Sequence, residues 1–153
     1  MAESVREQAA SAGLEPAEVL VAYGIAVPAK SAKGVRLNHF NPDGRGRRGA
    51  ELGDRLMQSV GAVSGGAGSI AASMPETTGA LLLRITDRRV GLVNHMNGTP
   101  VWEVPRGWVV RVERRPRLQV VARFRVHYAD GSWLGFFTMR RRTIDEFQRH
   151  LGA

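Results

Sequence analysis

The sequence predicts an α+β fold, a small antiparallel barrel or sandwich of about seven strands capped by a C-terminal helix. Three observations carry this expectation. From Gly79 onward apolar residues recur with a period of two, in LLLRITDRRVGLV (81–93), VWEV (101–104), WVVRVERR (108–115) and LQVVARFRVHYADGSWLGFFTM (118–139). Asn97-Gly98 and Asp130-Gly131 supply the left-handed backbone that tight hairpins need. The chain then closes on RTIDEFQRHL (142–151), where the apolar spacing turns helical.

Taken in order, residues 3–13 predict a short helix with Val5, Ala9 and Ala12 on one side and Gly13 as its stop. Glu18 to Val27 is rich in β-branched residues, ends at Pro28 and reads as the first strand. Residues 29–49 hold four glycines and a Pro-Asp-Gly turn signal, so they read as a loop or linker with a short extended piece at Val35 to Phe40. Beyond it Leu52, Leu56, Val60, Val63, Ala67, Ile70 and Met74 fall on one helical face. Gly61, Gly65, Gly66 and Gly68 each cost roughly 1 kcal/mol in a helix interior, so the prediction is a helix over 50–64 whose continuation is weak or broken. Asp54, Arg55 and Gln58 make it too polar to span a membrane, and Pro75 marks its end. The domain reading is an N-terminal helical or flexible segment, 1–17, and one domain, 18–153, with an insert at 29–78.

Leu81, Leu83 and Ile85 open the strand region, and a Thr86–Arg89 turn leads into Val90 to Val93. Trp108, Val110 and Val112 are expected on one apolar face, with Arg111 facing the other way and Pro116 ending the strand. In the longest run Val120, Ala122, Phe124, Val126 and Tyr128 share one face, and Arg123, Arg125 and His127 share the other. The last helix is expected to start near Thr143 as N-cap, with Asp145 and Glu146 in its first turn, Ile144, Phe147 and Leu151 on the sheet, and Gly152 as its stop.

Composition narrows the function. The 153 residues are 43% apolar and 24% charged, as in an ordinary globular domain. The absence of Cys excludes disulfides, thiolate metal sites and cysteine nucleophiles. The first eighteen residues carry four Glu and one Arg without an apolar core, which does not fit a signal peptide and sets the cytosol as the expected compartment. Net charge is +8, and 20 of the 22 basic residues are Arg. That bias fits a GC-rich genome as well, so placement says more than identity. Thirteen basic against four acidic groups lie within 84–142, so the excess sits in the strands and favours anionic partners.

Catalytic and metal motifs are missing. His39, His95, His127 and His150 have no metal-ligand spacing, and no G-x-S-x-G, P-loop or dinucleotide fingerprint occurs. The Gly-rich 65–68 run lacks the Lys-Ser/Thr of a phosphate cradle. Asp87 and Asp130 sit at turns, where Asp caps backbone N–H groups. No enzyme activity and no cofactor are expected.

The LLLRITDRRVGLV hairpin, the strand VWEVP, the Tyr128–Ser132 hairpin and the IDEFQRHL helix, in that order, resemble the bacterial pleckstrin-homology-like and GRAM-like domains. The resemblance covers about residues 79–151, with Glu18 to Val27 as strand one. It implies a seven-stranded barrel plugged at one end by the helix, and a binding rather than a catalytic role. The 29–78 insert departs from the family pattern at the early loop where lipid-binding members hold their headgroup.

Arg111, Arg123 and Arg125 on one outward sheet face would repel unless an anion, or Glu103 or Glu113, balances them, which makes them the leading candidate surface. Arg88 and Arg89 at a hairpin tip, and Arg45, Arg47 and Arg48 in the glycine-rich loop, are further candidates for phosphate contact or simply solvated charge. Arg140, Arg141 and Arg142 sit where a helix N-terminus disfavours cations. Trp108 is expected in the core, and Phe124 and Tyr128 face away from the arginines, which argues against an RNA-stacking platform. The expectation is a cytoplasmic binding or scaffolding module, peripheral on the inner membrane, that recognises an acidic lipid surface or an acidic protein. Two alternatives stand beside it. One is a self-assembling module using Leu52, Leu56, Val60 and Val63 of the 50–74 helix, and the other is non-specific nucleic-acid binding.

Overall fold

The structure is a computed structural model that describes residues 2–29, 62–77 and 79–153. In chain order its elements are α1 (Ala2–Ser11), β1 (Leu20–Pro28), β2 (Val63–Ser64), β3 (Leu81–Thr86), β4 (Arg89–Val93), β5 (Pro100–Pro105), β6 (Val109–Leu118), β7 (Val121–Tyr128), β8 (Trp133–Thr138) and α2 (Arg141–Leu151). Short 3-10 turns occupy Ala71–Ser73 and Arg106–Trp108. The arrangement is α+β, as the period change at Gly79 predicts.

All the strand pairs are antiparallel, in the order β5-β4-β3-β1-β8-β7-β6, with β2 also on β8. Strand β1 joins two halves: residues Leu20 to Ala26 pair with β3, and Val27 and Pro28 pair with β8. The sheet does not close into a barrel, because β5 and β6 remain its two ends. The 3-10 turn between them swings the chain from one half to the other. The open edge of β6 is met instead by α2, where Val112 N–H donates to Gly152 O (2.8 Å) and Gln148 Nε2 donates to Val112 O (2.9 Å).

Inside the fold Phe124 stacks on Phe136 and meets Phe147 of α2, with ring centroids 5.2 and 5.6 Å apart. Helix α2 seats on β1 at Gly24, where a Cβ would lie 2.5 Å from Thr143 Cγ2 and 3.1 Å from Phe147 Cζ. On the outer face of the other half, α1 packs Ala9 and Ala10 against Leu82 and Val93. Residues 2–11 are thus seated on the sheet.

Several local expectations are corrected. Val63 and Ser64 pair with Leu134 and Trp133 as a short strand, and Ile70 and Met74 flank a 3-10 turn, so the helical face does not run through 63–74. Gly65 and Gly68 take φ of +123° and +86°, a conformation no helix interior accepts. The helix predicted over 50–64 otherwise lies outside the described residues, as do Leu52, Leu56, Val60, the 35–40 piece and Arg45, Arg47 and Arg48. Trp108 and Val110 are not core residues but are 47% and 56% exposed. A bulge between Val109 and Arg111 breaks the alternation, leaving Val112 buried. Pro116 does not end its strand, because a second register shift between Arg115 and Leu118 accommodates it on this edge. Helix α2 begins at Arg141 with Arg140 as an uncapped N-cap, so Asp145 and Glu146 fall in its second turn.

Candidate anion-binding surface

Alternation on β6, β7 and β8 builds the surface. The register pairs Arg111 with His127, Glu113 with Arg125 and Arg115 with Arg123, and continues to β8 through Arg123↔Phe137, Arg125↔Gly135 and His127↔Trp133. Residues opposite one another share a face. Among the described residues, four arginines, one histidine and one tryptophan therefore surround a single carboxylate, Glu113.

Glu113 is heavily used. His127 Nε2 donates to its Oε1 at 2.8 Å, Arg115 Nη1 donates to its Oε2 at 3.3 Å, and Arg125 Nη1 stands 4.0 Å from Oε1. The His127 hydrogen bond, with help from Arg115, holds the Glu113 carboxyl below its ordinary pKa despite burial. The surplus is cationic. Burial, followed by the Arg115 charge, pushes the pKa of both Arg123 and Arg125 below the usual guanidinium value. Arg125 also stacks over the Trp133 ring at 3.8 Å. That occupies one face of the Trp133 ring.

At the end of this sheet further cations converge. The β6–β7 turn and the first turn of α2 border a cleft of about 290 Å³ lined by Arg114, Arg115, Arg117, Arg123 and Arg141, with Pro116, Ala122 and Ile144 as its apolar parts. Arg114 pairs with Asp145. Arg123 Nε donates to Pro116 O, and Arg117 Nη2 donates to Val120 O at 3.2 Å. Carbonyl acceptors hold those two side chains without neutralising them. Two apolar side chains project at the same end, Val120 at 67% exposure from the turn and Met139 at 65% just before Arg140. The pairing Ala122↔Thr138 brings their two segments together.

The other candidate arginines are placed differently. Arg89 donates to Glu18 (2.8 and 2.9 Å), Glu103 (3.1 Å) and Gly13 O (2.9 Å), and the Glu18 hydrogen bond raises its pKa. Arg88 donates to Glu15 (3.0 Å) and Pro16 O (3.3 Å). Both tie the segment after α1 to the β3–β4 turn, and their charges are met within the chain. Glu103 serves Arg84 and Arg89 on the opposite half of the fold, and the arginine face is met by Glu113. Val63 of the expected oligomer contact pairs in β2.

Sequence reasoning found Arg111, Arg123 and Arg125 and put His127 on their face, but missed Arg115, Arg117, Trp133 and the cleft position of Arg141. Parity from Arg111 to Glu113 to Arg115 carried the signal for Arg115, and ending the strand at Pro116 hid Arg117. Among the described residues no group of His, Asp or Glu could hold a metal ion, and no helix is long and apolar enough to cross a membrane. Comparison with protein-family models finds no match, and comparison with curated proteins finds none either.

Proposed function

We propose that this chain is a non-enzymatic binding module that attaches reversibly to an anionic membrane surface, with the end of the β6–β7–β8 sheet as its contact. One observation carries the reading: a cleft lined by five arginines, outnumbering the carboxylates that meet them among the described residues, lies beside two exposed apolar side chains, Val120 and Met139. Each basic residue near an anionic bilayer contributes about 1 kcal/mol, so four or five engaged arginines suffice for reversible attachment. The apolar pair would enter the headgroup boundary as the arginines meet the lipid charge. An acidic protein would satisfy the charge but gives no reason for isolated Val and Met at the tip.

The pleckstrin-homology-like and GRAM-like reading belongs to this proposal. A helix packed over an open antiparallel sheet of this strand order supports it, and a cytoplasmic protein on the inner membrane face follows from it. Of the residues behind the self-assembly alternative, Val63 pairs through its backbone in β2 and remains 37% exposed, and Leu52, Leu56 and Val60 lie outside the described residues.

Co-sedimentation with vesicles tests the proposal. Binding to vesicles containing phosphatidylserine at low salt, lost at about 0.5 M salt where surface charge is screened, is the expected result. Val120→Asp with Met139→Asp should weaken it further. No pelleting with anionic vesicles at low salt overturns it.

A further inference from the structure

The cleft at this end has a composition that general attraction to a charged surface does not require. Five guanidinium groups line it, and among the described residues two carboxylates answer them: Asp145 on Arg114, and Glu113 on Arg115, itself shared with His127 and Arg125. Arg115 and Arg123 stand directly opposite in the ladder. Arg141 opens α2 with no acidic residue in its first turn and no side-chain cap, where the helix dipole is itself positive. These three costs share one remedy, an anion bound between the strand wall and the helix.

Resting on the membrane reading above, we infer that the cleft is a seat for a phosphomonoester, as a lipid headgroup or a free phosphate compound. Charge selects this class. A phosphomonoester carries about −1.5 to −2 at neutral pH, whereas a carboxylate or a phosphodiester carries a single charge. Shape selects it too. Its three terminal oxygens point in different directions, toward the Arg115–Arg123 wall, the Arg117 turn and the Arg141 helix end, and guanidinium groups meet such oxygens in bidentate fashion. The volume of about 290 Å³ lies at the small end of ligand clefts, suited to one headgroup and not to a polymer. The apolar floor of Ala122 and Ile144 lowers the local dielectric and strengthens each contact. The seat lies between the β6–β7 turn and α2, away from the segment that follows β1.

The test uses the full chain and two vesicle sets of matched zeta potential, one containing phosphatidic acid and one phosphatidylserine, with inorganic phosphate and glycerol 3-phosphate as soluble probes followed by amide NMR. The expected result is a preference for phosphatidic acid of about tenfold or more. Arg117→Gln with Arg141→Gln, both exposed positions, should abolish the preference while leaving weaker, salt-sensitive binding to both vesicles. Equal binding of the native chain to both sets, with no shift of residues 114–123 and 141–144 on adding either soluble phosphate, overturns the seat and leaves the membrane reading standing. Failure to bind either vesicle while soluble phosphate shifts those residues supports the seat, assigns it to a free compound and removes the membrane reading. No vesicle binding and no shift overturns both, and so does tight duplex-DNA binding that phosphate does not compete.

Discussion

Arg115 and Arg123 face each other across the β6–β7 ladder, a like-charged pair where an unligated sheet gains from opposite charges. Such pairs are destabilising by a few tenths to about 1 kcal/mol, and Glu113 reaches only one of the two directly. Arg123→Gln is therefore expected to leave unfolding stability unchanged, or raised by up to about 1 kcal/mol, because the lost contact with Pro116 O offsets part of the gain. The same substitution should weaken anionic-vesicle binding by about 1 kcal/mol. Urea titration and co-sedimentation measure the two effects. A loss of stability with unchanged binding would assign Arg123 to the fold and not to a surface.

Much of this surface was legible because a strand has an integral period. From Phe124 alone, alternation puts Ala122, Val126 and Tyr128 inside and Arg123, Arg125 and His127 outside, and burial follows that pattern. Strand β6 was less legible because two bulges reset its phase, one hiding the exposure of Trp108 and Val110 and the other hiding that the strand continues past Pro116. The balance of charge was illegible for a different reason. Arg88 and Arg89 look like free cations at a hairpin tip, but their partners Glu15 and Glu18 lie about seventy positions earlier in the chain, and no local pattern reports such pairs.

Glu18 is the pivot of that distant pairing. Burial pushes its carboxyl upward, but hydrogen bonds from Arg89, Thr86 and the Glu15 N–H, together with the Arg89 charge, outweigh burial and bring it from 4.5 to about 2. A folded pKa below the unfolded one means that the stabilisation is complete above about pH 4.5 and lost as pH falls through about 2. The full effect is on the order of 3 kcal/mol. Urea titrations at several pH values across that window should show a steeper loss for the native chain than for Glu18→Gln. Parallel curves would mean that Glu18 does not carry the acid sensitivity.

Gly91 makes a second long-range pairing possible. It lies between Arg84 and Glu103 in register across β3, β4 and β5, and the Glu103 side chain folds directly over it, with Cγ 2.5 Å from where a Cβ would stand. A methyl group there would also collide with the Trp102 carbonyl, which cannot swing away without breaking the ladder. Gly91→Ala is expected to cost about 1–3 kcal/mol by overpacking. Thermal unfolding measures it, and an unchanged midpoint would show that β5 yields freely.

Arg84 has the most to lose. Its side chain is fully buried (0% exposed) under α1, where Nη1 donates to Ala10 O (3.1 Å) and Ala12 O (2.6 Å) and the other nitrogens reach Glu103 at 3.3 Å. A cation at the last carbonyls of a helix satisfies groups that otherwise lack intrahelical partners, and it complements the helix dipole. Arg84 thus joins α1 to the sheet and fills the place of a hydrophobic residue on the outer face. Arg84→Met keeps most of the volume but takes from Glu103 one of its two arginine partners, Arg89 remaining, and strands two carbonyls. Breaking a buried pair from one side costs about 3–5 kcal/mol, and the Arg89 contact places the loss at the low end. Release of α1 should accompany that loss, so limited proteolysis would cut near Gly13 in the variant well before the native chain is touched. Pairing Arg84→Met with Glu103→Leu removes a buried carboxylate left with Arg89 as its remaining arginine partner, while Arg89 keeps Glu18, and should recover part of the stability. If the single variant loses less than about 1 kcal/mol and α1 stays protected, apolar packing of Ala9 and Ala10 on Leu82 and Val93 holds the helix, and the ion pair does not.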